Sequence, residues 1–203
     1  MDSQEMMIEN DLLARDIVDE RVIRAMVEIP RQMFVDEAYK GMAYEDRPLP
    51  IGHGQTISQP YIVALMCQML NLTGKEMVLE VGSGTGYQAA ILSRLARKVI
   101  GVEILEALAK RARANLKKLN IDNVEIVVAD GKEGYEKEAF FDAVVVAAVA
   151  RAVPRALKKQ LKLGGRLVMP LVIDGEERLI RITKNKRGFV KEIFGQVSFV
   201  PLV

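Results

Sequence analysis

The sequence predicts an α/β protein built on a doubly wound, mostly parallel sheet, and three observations carry that prediction. Between residues 61 and 170, short apolar runs alternate with segments of helical period. The run 143–147 (Ala-Val-Val-Val-Ala) is apolar throughout, as a strand covered on both faces requires. The run Val78-Leu79-Glu80-Val81 leads straight into Gly82-Ser83-Gly84-Thr85-Gly86 and then a helix, the strand–loop–helix junction of a parallel α/β unit.

Taken in order, residues 1–40 read as helices. Ile8, Leu12, Leu13, Ile17 and Val18 recur near the 3.6-residue period, as do Val22, Ile23, Met26, Val27 and Ile29. Pro30 ends or restarts the helix, because it has no N–H and its ring clashes with the preceding turn. Residues 41–60 hold three of the seven prolines and three glycines, with no sustained period. They read as a long loop, and such loops in compact domains tend to be functional. A helix follows over 61–70. Strands are expected at 77–81 and 98–102, with a helix over 87–96 between them. Leu105, Leu108, Ala109, Ala112, Leu116 and Leu119 form one helix face. Further strands are expected at 124–128, 143–147 and 166–170, with a helix over 155–163. Right-handed crossovers between such strands build a parallel sheet. Beyond 171 the pattern changes: 178–183 alternates, 185–188 is a turn and 189–199 alternates loosely, which predicts a β-hairpin. The expected organisation is a single domain over 1–203, with N-terminal helices and loop (1–60), a core (61–170) and a C-terminal hairpin (171–203).

Composition excludes several function classes. Lys and Arg total 29 against 27 Asp and Glu, a net charge of +2 with no basic run, so no nucleic-acid partner is expected. The single cysteine, Cys67, excludes an intrachain disulfide and points to a reducing, cytoplasmic setting. It falls among apolar helix positions and reads as a core residue. The single histidine, His53, excludes a multi-histidine metal site within one chain, and no metal is expected. No run of 18 apolar residues exists, so no membrane span is expected. Asp2, Glu5, Glu9 and Asp11 are the opposite of a signal peptide's basic start. A monomer is expected.

The glycine loop lets backbone pass close to a ligand, and the helix after it offers free N–H groups. About twenty residues on, at the end of the next strand, Glu103 is placed to accept hydrogen bonds from both hydroxyls of a ribose. The spacing is G-x-G-x-G, whereas the dinucleotide fingerprint is G-x-G-x-x-G. The form is that of S-adenosylmethionine (SAM) sites, although a dinucleotide site and a plain tight turn remain alternatives. Asp130-Gly131 follows the third core strand, where a carboxylate meets an adenine edge.

With these residues in view, the chain closely resembles protein-L-isoaspartate O-methyltransferases, SAM-dependent enzymes that act on age-damaged aspartyl and asparaginyl residues. The resemblance runs through 31–35 (R-Q-M-F-V), 43–50 (A-Y-E-D-R-P-L-P), 51–60 (I-G-H-G-Q-T-I-S-Q-P), 80–88 (E-V-G-S-G-T-G-Y-Q), Asp130-Gly131, Phe141-Asp142-Ala143, 163–170 (L-G-G-R-L-V-M-P) and 199–202 (F-V-P-L). The glycine loop is common to most SAM methyltransferases, whereas G-Q-T-I-S-Q-P and F-V-P-L are specific. The resemblance implies a Rossmann-like, seven-stranded sheet and SAM as the methyl donor. It implies methylation of the free α-carboxylate of L-isoaspartyl residues, which initiates repair through a succinimide. It implies that Gln55, Thr56, Ile57 and Ser58 form a lid over the cofactor and border the substrate, with Ser58 as the active-site residue. Gly82, Ser83, Gly84 and Gly86 belong to the cofactor loop, the first three facing the methionine part. Glu103 and Ile104 would meet the ribose, Asp130 and Gly131 the adenine, and Val200 the substrate backbone. One departure stands out: 147–151 reads Ala-Ala-Val-Ala-Arg where many relatives carry Thr and Pro.

Transfer to a carboxylate needs no general base, since a free carboxylate with pKa ~4 is ionised at pH 7. Ser58 is therefore expected to orient the substrate as a hydrogen-bond donor, and a second reading makes it the N-cap of the next helix. Residues 199–202 read either as a strand edge that pairs with an extended peptide or as a buried terminal strand. Two rivals remain at this level: a SAM methyltransferase with an RNA or small-molecule substrate, and an inactive SAM-binding module.

Overall fold

The computed structural model describes residues 3–203. The chain opens with α1 (Ser3–Met6), a π-helical continuation Met7–Leu13 and α2 (Glu20–Glu28). Helix α2 starts at Asp19, whose carboxylate accepts from the Arg21 N–H at 3.0 Å, and stops two residues before Pro30. Two 3-10 turns, Arg31–Phe34 and Glu37–Met42, lead into β1 (Leu49–Gly52), β2 (Gln55–Ile57) and α3 (Pro60–Leu70). The core then runs β3 (Met77–Val81), α4 (Tyr87–Ser93), β4 (Lys98–Glu103), α5 (Glu106–Lys118), β5 (Val124–Val128), β6 (Phe141–Val146), α6 (Arg155–Gln160) and β7 (Leu161–Ile173). It ends with β8 (Glu176–Asn185) and β9 (Gly188–Gln196).

Seven strands form one sheet in the order β5-β4-β3-β6-β7-β8-β9. The first five are mutually parallel, and β8 is antiparallel to both its neighbours. The expected hairpin is present, with its turn at Asn185–Gly188, and it is fused to the sheet through β7. Strand β6 is buried at five of its six positions because helices cover both faces. The order reverses between β3 and β6, the switch point at which open α/β sheets leave a crevice beyond their carboxyl ends. No helix among the described residues is long and apolar enough to cross a membrane.

Three expectations need correction. Residues 41–60 are not all loop: β1 and β2 form an antiparallel pair, Leu49 opposite Ile57, with Leu49, Ile51 and Ile57 buried. The turn lies at Gly52-His53-Gly54, all at positive φ, and an exposed His53 shapes that turn. The strands are too short, and too full of Pro and Gly, for their alternation to show. Helix α6 ends at Gln160 rather than 163, because Leu161 already pairs with Phe141 across a bulge that the following Gly-Gly permits. Residues 199–202 are not a hairpin edge, since β9 stops at Gln196. They form an extended tail in which the Val149 N–H donates to the Val200 carbonyl (2.9 Å) and the Leu202 N–H to the Val149 carbonyl (2.8 Å).

Gly131 shows how tightly the sheet end is packed. A Cβ there would lie 2.2 Å from Val81 Cγ1. Gly131→Ala is expected to cost about 2 kcal/mol or more, since overpacking displaces a central strand. The check is a lowered denaturant midpoint at constant m-value.

Candidate active site

The crevice at the switch point is a cavity walled by three parts of the chain. The lid supplies Ile51, Gln55, Thr56, Ile57 and Ser58. The carboxyl ends of β3, β4, β5 and β6 supply Glu80 to Thr85, Glu103, Ile104, Gly131, Ala147 and Ala148. The C-terminal tail supplies Val200 to Val203.

Each wall has a physical reason to be where it is. Gly82 and Gly84 sit at φ +84° and +55°, which turns the loop back on β3 and leaves its backbone open to the cavity. The Glu103 carboxylate braces this loop, accepting from the Gly84 N–H at 2.8 Å and the Leu105 N–H at 2.9 Å. Thr85 donates to the Phe34 carbonyl at 2.7 Å, so the R-Q-M-F-V segment anchors the glycine loop from outside. The lid is held at two points. Arg111 of α5 donates to the Ile51 carbonyl (2.7 Å) and pairs with Asp36 (2.6 Å). The fully buried Arg31 donates to the Ala43 carbonyl at 2.7 Å and lies 5.1 Å from the centre of the Tyr87 ring.

The cavity is rich in unmet hydrogen-bonding capacity. Of five buried side-chain atoms without a partner among the described residues, four line it: both Glu80 oxygens, Ser83 Oγ and Gln88 Nε2. Buried polar atoms are nearly always paired, so a group of orphans marks where a polar ligand belongs. Burial pushes the Glu80 carboxyl up to about 7; the nearby Ser83 hydroxyl pulls the other way without closing a normal hydrogen bond, and the Glu103 charge adds to the rise. Such a group keeps its proton in the folded state at pH values where the unfolded chain, near 4.5, has lost it. Stability is therefore undiminished below about 4.5, falls as pH rises towards 7 and stays lowered above it. In the unliganded protein Glu80→Gln is expected to raise the melting temperature at pH 8, by at most about 3 kcal/mol in stability, and to leave it unchanged near pH 4. Equal shifts at both pH values would show that Glu80 is not the group responsible.

Of the residues singled out from sequence, Gln55, Thr56, Ile57, Ser58, Gly82, Ser83, Gly84, Glu103, Ile104, Gly131 and Val200 all line the cavity. Gly86 does not; a Cβ there would sit 3.1 Å from Ala112 Cβ, so its job is close packing of the loop on α5. Asp130 is also outside the lining, its carboxylate engaged by the Lys132 N–H at 2.8 Å. Ser58 is not a helix cap: the cap position is Gln59, with Pro60 opening the helix. The Ser58 hydroxyl makes no hydrogen bond to any described residue. Glu80 and Gln88 lie within the E-V-G-S-G-T-G-Y-Q run, but burial without a partner leaves no mark in a sequence.

A second groove opens beside the first, lined by Pro48, Gln59, Ile62 and residues 196–199, and it shares Thr56, Ser58, Ala147 and Val200 with the cavity. No lysine or arginine lines either space. No group of three His, Cys, Asp or Glu among the described residues is arranged to hold a metal.

The family model described as protein-L-isoaspartate(D-aspartate) O-methyltransferase (PCMT) matches residues 2–203. The chain belongs to the protein-L-isoaspartate O-methyltransferase family. A protein-L-isoaspartate O-methyltransferase of Geobacter metallireducens is 49% identical over 198 residues, 97% of this chain and 92% of that protein. One from Archaeoglobus fulgidus is 50% identical over 186 residues, 90% of this chain and 84% of its own. Among solved structures, a Plasmodium falciparum beta-aspartate methyltransferase (PCMT) in complex with S-adenosyl-L-homocysteine superposes with a TM-score of 0.87 at 29% identity, covering 100% of this chain and 99% of that one. This family member therefore has the glycine cradle, the braced acidic residue and the orphaned polar atoms on the side of the sheet where a nucleoside-bearing ligand fits.

Proposed function

We infer that the chain transfers a methyl group from SAM to the free α-carboxylate of L-isoaspartyl residues in damaged proteins and peptides, initiating their repair through a succinimide. The observation that carries this reading is the junction of the two spaces. Thr56, Ser58, Ala147 and Val200 border both the cradle suited to the cofactor and a groove open to solvent, so a carboxylate from an outside polypeptide can meet the cofactor there.

When bound, SAM would supply an electrophilic methyl on its sulfonium sulfur, which passes to a carboxylate oxygen as the carbon–sulfur bond breaks and S-adenosyl-L-homocysteine leaves. The chain's own residues hold and orient. Gly82, Ser83 and Gly84 present backbone, Glu80 and Gln88 present their free polar atoms, and Glu103 with Ile104 takes the ribose. Gly131 forms the adenine floor, with Asp130 shaping the turn beneath it. Aligning reactants in this way is worth roughly 7–11 kcal/mol of barrier. Ser58 offers a single hydroxyl to the carboxylate. The lack of any Lys or Arg around either space matters, because a cation would stabilise the carboxylate charge that is lost on reaching the transition state. Cys67 is buried and its thiol is pushed up to about 12, which supports a structural thiol. As part of the same proposal, the enzyme acts as a cytoplasmic monomer.

The test is transfer of a labelled methyl group to an isoaspartyl peptide and to its normal aspartyl twin. Labelling of the isoaspartyl peptide alone is expected. Labelling of both alike, or of neither, would overturn the reading.

A further inference from the structure

The 147–151 segment leads out of the active site into a third groove, which the methyl-transfer chemistry does not use. It is lined by Lys132, Glu133, Val149, Arg151 and Arg155, and it meets the cavity at Pro201 and Leu202, which border both. Lys132 is 3.6 Å from Asp130 and so is partly neutralised. Arg151 and Arg155 are exposed and make neither an ion pair nor a hydrogen bond to any described residue. Most other surface arginines do: Arg15, Arg21, Arg47, Arg94, Arg111, Arg113, Arg178 and Arg181 all pair with carboxylates. A chain of nearly balanced charge thus keeps two uncommitted guanidinium groups in a groove one ridge away from its reaction centre.

We propose that this groove receives the polypeptide flanking the target residue, and that Arg151 and Arg155 make the enzyme favour substrates with acidic side chains there. The inference rests on the isoaspartyl methyltransferase reading above. Its physical basis is the two uncommitted cations and the wall, Pro201 and Leu202, that the groove shares with the cavity. Guanidinium forks bind carboxylates bidentately, and they act on encounter as well as on residence. The pairs are solvent-exposed, so each contributes modestly and is weakened by salt.

The test uses three isoaspartyl peptides with one core sequence and flanking positions, on both sides of the target, set to Glu, Ala or Lys. At low ionic strength kcat/KM is expected to follow Glu > Ala > Lys, with about a three- to tenfold gain of Glu over Ala carried by KM. The gain should shrink towards one in 0.5 M salt. In the Arg151→Ala, Arg155→Ala double variant the Glu-to-Ala ratio should fall to about one, and in the Arg151→Glu, Arg155→Glu double variant (the double Glu variant) the order should reverse to favour Lys. Methylation of the Ala-flanked peptide with no flank preference, or with a preference that survives both double variants, overturns this proposal and leaves the methyltransferase reading intact. Failure to methylate any isoaspartyl peptide overturns both. Binding of a labelled single-stranded RNA that the double Glu variant loses, with no flank preference, reassigns the groove to nucleic acid and overturns the proposal.

Discussion

Replacing Ser58 by alanine is expected to lower kcat by about 100-fold or more while leaving the dissociation constant for SAM within a few-fold. The residue stands at the junction of the cavity and the second groove, and its hydroxyl has no partner among the described residues. It is therefore free to donate to a carboxylate rather than bound up in a helix cap. Its contribution is alignment of the attacking oxygen, and a misplacement of about 1 Å can cost about 100-fold in rate. In the proposed site the cofactor has other holds, in the glycine loop and at Glu103, so its affinity is expected to depend little on this side chain. Rapid-quench turnover and equilibrium binding of S-adenosylhomocysteine separate the two effects. Normal turnover at saturation combined with lost cofactor binding would place Ser58 in the cofactor site instead.

Replacing Glu103 by alanine is expected to damage both stability and cofactor binding. The residue is 5% exposed, and its carboxylate accepts from the N–H groups of Gly84 and Leu105. Without it two part-buried backbone donors lose their partner, at the lower end of about 1–3 kcal/mol each. For a chain of this size the melting temperature should fall by roughly 6–12 °C if the total is about 3 kcal/mol. Two charge-assisted hydrogen bonds to a ribose are lost at the same time, so the dissociation constant for SAM should rise at least about 100-fold. Differential scanning calorimetry reads the first effect and titration calorimetry the second. A lowered melting temperature with unchanged affinity would leave Glu103 as a brace for the loop and nothing more.

Much of the fold was legible because it rests on local signals. Strand positions at 77–81 and 124–128 agree with β3 and β5 to the residue, since apolar β-branched runs flanked by polar turns leave few other solutions. The carboxyl-end residues of the site were legible too, because Gly82, Gly84, Glu103 and Gly131 each follow a strand at a spacing the crossover imposes. The lid was harder. Its β1–β2 pair rests on three buried apolar residues and on Arg111, which reaches Ile51 from sixty residues away, while Arg31 holds the segment leading into it at Ala43. Arg111 has no sequence signature and Arg31 only its place in R-Q-M-F-V, since what matters is the carbonyl each meets. The same holds for Glu80, which reads as one acidic residue in a strand and is in fact a buried carboxyl facing a cavity.

What the sequence by itself determined is the class of the protein. Hydrophobic period sets the sheet and its crossovers, and the glycine spacing with Glu103 narrows the candidate ligands. The segments G-Q-T-I-S-Q-P and F-V-P-L mark the family. What only the tertiary structure decided is where side chains end up when distant segments meet. It separated Gly86 and Asp130 from the cavity wall, left Ser58 unpaired between two spaces and joined the tail to Val149. It also left Arg151 and Arg155 uncommitted beside the active site. The physical reason is that period and propensity act over a few residues, whereas burial and hydrogen-bond partnership depend on which distant segments pack together.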